Sequence, residues 1–372
     1  MNTTVSLYLD LVRVLAALTI FLVHASSDRF TDGWLWRFSS LGVDAVMVFF
    51  VLSGFVIAYV VEQREKSGRD FVLARLARLW SVVAPALVLT LVLDAIGQAF
   101  DPTLYHGSHY QDSGPVWRFI ANLFFVQELW FLSVHPFSNS PFWSIGYEFW
   151  YYALFAVATF TSGWRRGLWV FLVASIAGPK ILLLLPVWLL GIYVYKFGKR
   201  QSLSPGLSWV LFIGALIVYL VCLRVGLRQM FLDWTHEVLG RAFADEWLVY
   251  SKEFLYSYLV GALTAINFIG FFGIARQVAP YLARGQLAIR FFAAYTFSLY
   301  LFHLPLLQFY AAIVPGELGS RLLQVTVMMT SLACVLALGA ITELQKGRLR
   351  QQLDRLLNFF MTFRPGRSRS GQ

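Results

Sequence analysis

The stretch VSLYLDLVRVLAALTIFLVHA, residues 5–25, decides what kind of chain this is. Apart from Asp10, Arg13 and His24 it is almost wholly apolar, and it has the length of about 20 residues that an α-helix needs to cross a bilayer. Runs of the same kind recur almost to Gln345. They are continuous and do not alternate, so the spanning elements are expected to be helices and not the strands of a barrel. Composition agrees. Hydrophobic residues make up 58% of the chain and charged residues 13%, whereas soluble domains carry roughly a quarter charged residues. No basic segment precedes the first apolar run and no small-residue cleavage site follows it, so no removable signal peptide is expected.

A net charge of +10 raises the question of nucleic acid, and the distribution of that charge answers it. The basic residues cluster between apolar runs and in the tail, as inward-facing loops of a membrane protein do, and no nucleic-acid partner is expected. Cys222 and Cys334 both fall in apolar segments and read as small core residues, with neither a disulfide framework nor a metal site.

With the N-terminus cytoplasmic, helices are expected over about 5–25 and 42–62. The following stretch EQREKSGRDFVLARLAR (62–78) carries Arg64, Lys66, Arg69, Arg75 and Arg78 and belongs inside. A third helix over about 79–97 leads to an outer loop holding Asp101, His106, His109 and Asp112. Residues 117–132 are apolar but include Arg118, Asn122, Gln127 and Glu128. Parity settles them: only if this piece does not cross do GWRRG (163–167), YKFGKR (195–200) and the tail from Lys346 all fall on the inner side. Helices over about 142–162, 167–178, 181–197, 207–224, 253–274, 287–311 and 321–345 complete the count. The expected fold is all-α: a polytopic transmembrane bundle of about ten helices with both termini cytoplasmic. Residues 1–345 form the membrane-embedded domain and 346–372 a basic cytoplasmic tail, flexible from Arg364 onward.

Ionisable residues at membrane depth are expensive and point to function. Arg13 and His24 lie eleven positions apart in one helix, which sets their Cα atoms about 16 Å apart along the axis and about 20° apart around it. One face therefore carries a cation towards the inner side and an imidazole near the outer side. Arginine snorkelling and an interfacial histidine would account equally well for this helix alone. Two further segments shift the balance. AAYTFSLYLFHLP (293–305) brings Ser298 and Tyr300 up to His303, and PFWSIGYEFWYY (141–152) enters from outside with Glu148 about two turns down. His24, Glu148 and His303 are thus expected to share an outer-half site. On the inner side, FVLARLARLW (71–80) sets Arg75 and Arg78 at i and i+3 on one helical face. With Arg13 they could hold a phosphate-rich ligand; topogenic charge against anionic headgroups is the plainer reading of the spacing. The Ser-Gly step in LSGF (52–55) reads as a place where helix backbones approach closely. Walker, dinucleotide, zinc and Gly-x-Ser-x-Gly signatures are absent.

Taken together, Arg13-x10-His24, FFVLSGF (49–55), Arg75-x2-Arg78, WSIGYEF (143–149) and FSLYLFHLP (297–305) resemble, in order and in helix position, the acyltransferase family 3 integral-membrane proteins. These are bacterial O-acyltransferases that modify polysaccharides and other envelope molecules. The likeness spans nearly the whole chain and implies a multi-pass protein of the bacterial inner membrane. It implies acyl-CoA, by default acetyl-CoA, as a cytoplasmic donor substrate, with no metal. The acceptor hydroxyl lies at the outer side. Carried over, His24 is catalytic, Arg13 is its partner on the same helix, and Arg75 and Arg78 contact the donor together with Arg13. Glu148 orients an imidazole or the acceptor, and His303, with Tyr300 and Ser144, supports the site or binds the acceptor. General base catalysis by His24 is the preferred mechanism and a transient acyl-histidine the alternative. The chain departs from the family pattern at three points: four residues separate Gly42-Val43-Asp44 from Phe49, Pro85 follows Arg78 by seven residues, and WSIGYEF holds a single carboxylate.

The expected acceptor is an extracytoplasmic glycan such as exopolysaccharide or lipopolysaccharide. A secreted small molecule is the second acceptor class, since aromatic and polar outer loops suit either. From another class, a proton-coupled transporter could use His24, Glu148 and His303 as a relay. It calls for Gly/Pro-interrupted helices at corresponding positions of two halves, and no such symmetry is evident. Membrane lipids are expected partners throughout.

Overall fold

The computed structural model describes residues 2–107, 110–200, 203–314 and 320–362. His109 and the segment 363–372 lie outside the described residues. Among the described residues there is no strand, and fourteen helices of eight residues or more are present. The first three are α1 (Thr3–Ala25), α2 (Gly42–Gln63) and α3 (Gly68–Phe100). A short α4 (Pro115–Leu123) precedes α5 (Trp143–Phe160), α6 (Gly163–Ala177), α7 (Pro179–Arg200) and α8 (Pro205–Arg224). Then come α9 (Leu227–Leu239), α10 (Phe254–Arg284), α11 (Gln286–Ala293), α12 (Thr296–Ile313), α13 (Arg321–Ile341) and α14 (Lys346–Thr362).

Eight stretches, in α1, α2, α3, α7, α8, α10, α12 and α13, are long and apolar enough to cross a bilayer. The expected all-α bundle of about ten helices is found, with eight such spans among the described residues and the two other expected helices, α5 and α6, forming a hairpin. At 18 and 15 residues, the two helices of that hairpin reach about 27 and 22 Å at 1.5 Å per residue, against a hydrocarbon core of about 30 Å. Because they come as an adjacent pair, the remaining helices keep the sidedness that parity assigns. The segment 117–132 holds no helix long enough to cross. Helix α4 has nine residues, and the chain then turns irregularly, with positive φ at Phe125, Trp130 and Phe137.

The basic segments gather at one end of the bundle. Lys199 bridges Glu62, Arg69 bridges Asp354 at 2.7 Å, and Gly68 packs on Phe160, next to the start of α6. This is the grouping that the positive-inside rule leads one to expect. Helix α3 starts at Gly68, well before the expected residue 79. Ser67 caps it by accepting the Asp70 N–H at 3.1 Å, and Phe71, Leu73 and Ala77 are buried between the basic residues. The expected helix 287–311 is two helices, α11 and α12, joined at 294–295. The start of α12 is capped from outside its own chain segment: Glu343 accepts from the Ser298 N–H and from Ser298 Oγ, each at 2.9 Å. The stretch 225–252, between two of the expected helices, contains α9.

Helix α12 is the core of the bundle, with every residue from Thr296 to Gln308 buried. Helices α1, α3 and α13 surround it, while α2, α7, α8 and α10 pack alongside. Helices α2 and α7 meet backbone to backbone at Gly54 and Gly191. A Cβ at Gly54 would lie 2.0 Å from Trp188 O, and one at Gly191 1.9 Å from Val51 O. The Ser-Gly step is thus a close-approach site in a helix that runs unbroken. Gly191→Ala is expected to destabilise the protein by about 1–3 kcal/mol, as overpacking does, whereas Gly214→Ala, facing open space, should not. Thermal unfolding of the detergent-solubilised pair measures the difference, and equal midpoints would refute the packing account.

Candidate functional site

Placing the two arginines of α3 at i and i+3 turns both towards the interior. Arg75 pairs with Glu65 at 2.7 Å and lies over the rings of Phe71 and Tyr152. Arg78 lies over Phe297 at 6.0 Å, and among the described residues no carboxylate stands within ion-pair distance of it. Arg13 of α1 reaches Asp10 at 3.6 Å, and Asp10 is shared with Arg290 of α11.

These three arginines line one cleft together with Ser53, Glu148 and Tyr300. A second cavity lies at the basic end and is lined by Asp10, Arg290, Glu343 and Lys346. Arg13, Arg78 and Thr296 line both spaces. The two guanidinium groups thus stand between a vestibule at the basic end and a deeper, more apolar cleft. Fixed cations with a planar donor fork in such a passage suit phosphate groups.

In the deeper cleft the Glu148 carboxylate accepts from Ser53 Oγ at 2.7 Å and from the Tyr152 hydroxyl. Trp188 Nε1 donates to Ser53 Oγ at 3.2 Å. Ser144 Oγ lies 2.6 Å from the Tyr300 hydroxyl, which donates to Pro141 O at 3.1 Å. With the tyrosine proton committed to a carbonyl, the serine is the donor of that pair.

The histidines come together further along. The rings of His24 and His303 are 5.1 Å apart between centroids, with Phe21 at the edge of His303. His303 is fully buried, and its Nδ1 lies 2.8 Å from Leu299 O. A carbonyl only accepts, so Nδ1 carries the proton and Nε2 keeps a lone pair. No hydrogen-bond partner for that Nε2 is found among the described residues. Tyr300, on the cleft, and His303 are three residues apart on α12, a rise of about 4.5 Å.

The sequence-derived candidates therefore fall into two groups. Arg13, Arg75, Arg78, Glu148, Ser144 and Tyr300 line the cleft, and His24 pairs with His303 one turn beyond Tyr300. Glu148 was expected beside the histidines and is found among the arginines, held by hydroxyls from α2 and α5. Sequence reading passed over Ser53, Tyr152 and Trp188. It also passed over Glu343, whose single carboxylate in the otherwise apolar and neutral ITELQ (341–345) was the one available signal.

A search of curated proteins and a search of solved structures returned no match. The profile of the acyltransferase 3 family, described as an acyltransferase domain, matches residues 6–341 and takes in both cavities' arginines and both histidines. The chain belongs to the acyltransferase 3 family and is a multi-pass membrane acyltransferase.

Proposed function

We propose that the protein moves an acyl group, acetyl by default, from cytoplasmic acyl-CoA to a hydroxyl of an extracytoplasmic glycan. The observation that carries this reading is the sequence of spaces along the bundle. A basic vestibule leads past Arg13 and Arg78 to a cleft, and beyond Tyr300 lie two adjoining imidazoles. The donor's phosphates pair with Arg13, Arg75 and Arg78, and its acyl-bearing arm runs through the cleft past Glu148. At the far end His24 takes the proton from the acceptor hydroxyl. The hydroxyl oxygen then bonds to the thioester carbonyl carbon, the carbon–sulfur bond breaks, and the leaving CoA thiolate takes the proton back from His24. His303, Tyr300 and Ser144 hold the acceptor end of the site in shape.

Arg78, with no carboxylate within ion-pair distance among the described residues, is the residue to test first. Arg78→Gln is expected to raise the KM for acyl-CoA about 10- to 100-fold, the range for losing a hydrogen bond to a charged group. The acceptor KM should stay nearly unchanged. Initial rates in proteoliposomes measure both, and an unchanged donor KM would overturn the assignment. For the acceptor, mass spectrometry of envelope glycans from a deletion strain should show loss of the acyl mass. Intact glycans with an acyl-deficient small molecule in the medium would move the acceptor to the secreted class.

A further inference from the structure

Helix α14 lies beyond the residues that match the family. It is joined to the bundle along the start of α3, where Arg69 bonds Asp354 at 2.7 Å and Asn358 at 2.6 Å, and Arg350 stands 3.6 Å from Asp70. These pairs are solvent-exposed, and such pairs contribute little. On the same helix Leu356 and Leu357 are 54% and 43% exposed, and Leu349 and Leu353 are half-buried. Leu349, Leu353, Leu356 and Leu357 fall within an arc of about 100° on a 3.6-residue helix. Arg348 and Arg355 project from the opposite side of the wheel, and both are exposed. Lys346, Arg348, Arg350 and Arg355 face a single acid, Asp354, along the helix.

An apolar stripe beside an arginine-bearing face is what an interfacial helix presents to a bilayer. Its position supplies the charge match. It lies at the basic end, where the inner leaflet offers anionic headgroups. We infer that α14 is an interfacial helix that binds anionic phospholipid, with its leucine stripe at the acyl boundary and Arg348 and Arg355 among the headgroups. Glu343 and Lys346, at its root, line the vestibule, so the lipid-bound helix also sets one wall of that entrance.

The test uses the full chain with Cys222→Ala and Cys334→Ala, carrying an environment-sensitive dye on Leu357→Cys. A second preparation carries it on Leu356→Cys in case the first folds poorly. Both are placed in nanodiscs of phosphatidylcholine, with or without phosphatidylglycerol, containing acyl-chain quenchers. Quenching is expected to be strong with phosphatidylglycerol and weak without it. Arg348→Gln and Arg355→Gln are each expected to lower the bound-to-free ratio about fivefold, the equivalent of about 1 kcal/mol per basic residue near such a surface. Equal quenching in both lipids, insensitive to the two substitutions, would overturn the anionic requirement. Absence of quenching in either lipid would remove the helix from the bilayer altogether. Dye protection in detergent at dimer mass would assign the stripe to a second copy of the chain instead.

Discussion

Replacing His24 by alanine is expected to reduce acyl transfer by about 10²–10⁴-fold, the range that a positioned general base supplies, while leaving the donor KM close to wild type. The split follows from geometry. The arginines proposed to hold the donor line the vestibule and cleft, whereas His24 lies eleven residues beyond Arg13 on α1, about 16 Å along the helix. Its neighbour there is His303. Turnover and donor KM measured together in proteoliposomes separate this loss from a folding defect, which would lower the amount of active protein without the same split. His24→Ala protein that turns over at the wild-type rate would sink the assignment. A radiolabelled acyl group retained on wild-type protein, and absent from the variant, would favour the acyl-histidine route over simple proton abstraction.

How far the residues announced this arrangement depends on the range of the interaction. Helices α1 and α2 were legible almost to their ends, because an unbroken apolar run of the right length has few other uses. The relation of Arg13 to His24 followed from periodicity alone, since both lie on one helix. Helix α3 was placed too late. The positive-inside signal in residues 62–78 hides an amphipathic start in which Phe71, Leu73 and Ala77 turn inward. Local pattern also ran out at α12, where the break at 294–295 depends on a cap from Glu343, 45 positions further on. Glu148 shows the limit most clearly. Its depth on α5 was readable, but its company was not, because Ser53 meets it across 95 positions. A histidine neighbour and an arginine neighbour are equally compatible with WSIGYEF. The pairing of His24 with His303 is likewise a property of α1 against α12 and of no single motif.

The second large effect is one of stability, and it concerns residues with no place in the proposed chemistry. Lys180 and Glu128 form an ion pair at 2.5 Å with side chains 0% and 1% exposed. Lys180 also donates to Leu132 O, and Ser133 Oγ donates to Glu128 at 3.2 Å. The pair pins the irregular segment after α4 to the start of α7, beside a backbone bond from Trp130 N to Ala177 O at 3.1 Å. Water does not reach these groups, so a partner removed is not replaced by solvent. Lys180→Met is therefore expected to destabilise the protein by about 3–5 kcal/mol, the cost of stranding a buried charge. Adding Glu128→Leu should recover most of the loss, because an apolar pair of similar volume needs no counter-charge. Two results would count against this account: a Lys180→Met protein that unfolds at the wild-type temperature, or a double variant no more stable than the single one. The same preparations should show where the strain falls. Limited proteolysis of Lys180→Met is expected to open the chain first between Phe124 and Ser138, where the backbone holds three non-glycine residues at positive φ and has lost the charge pair that held it in place.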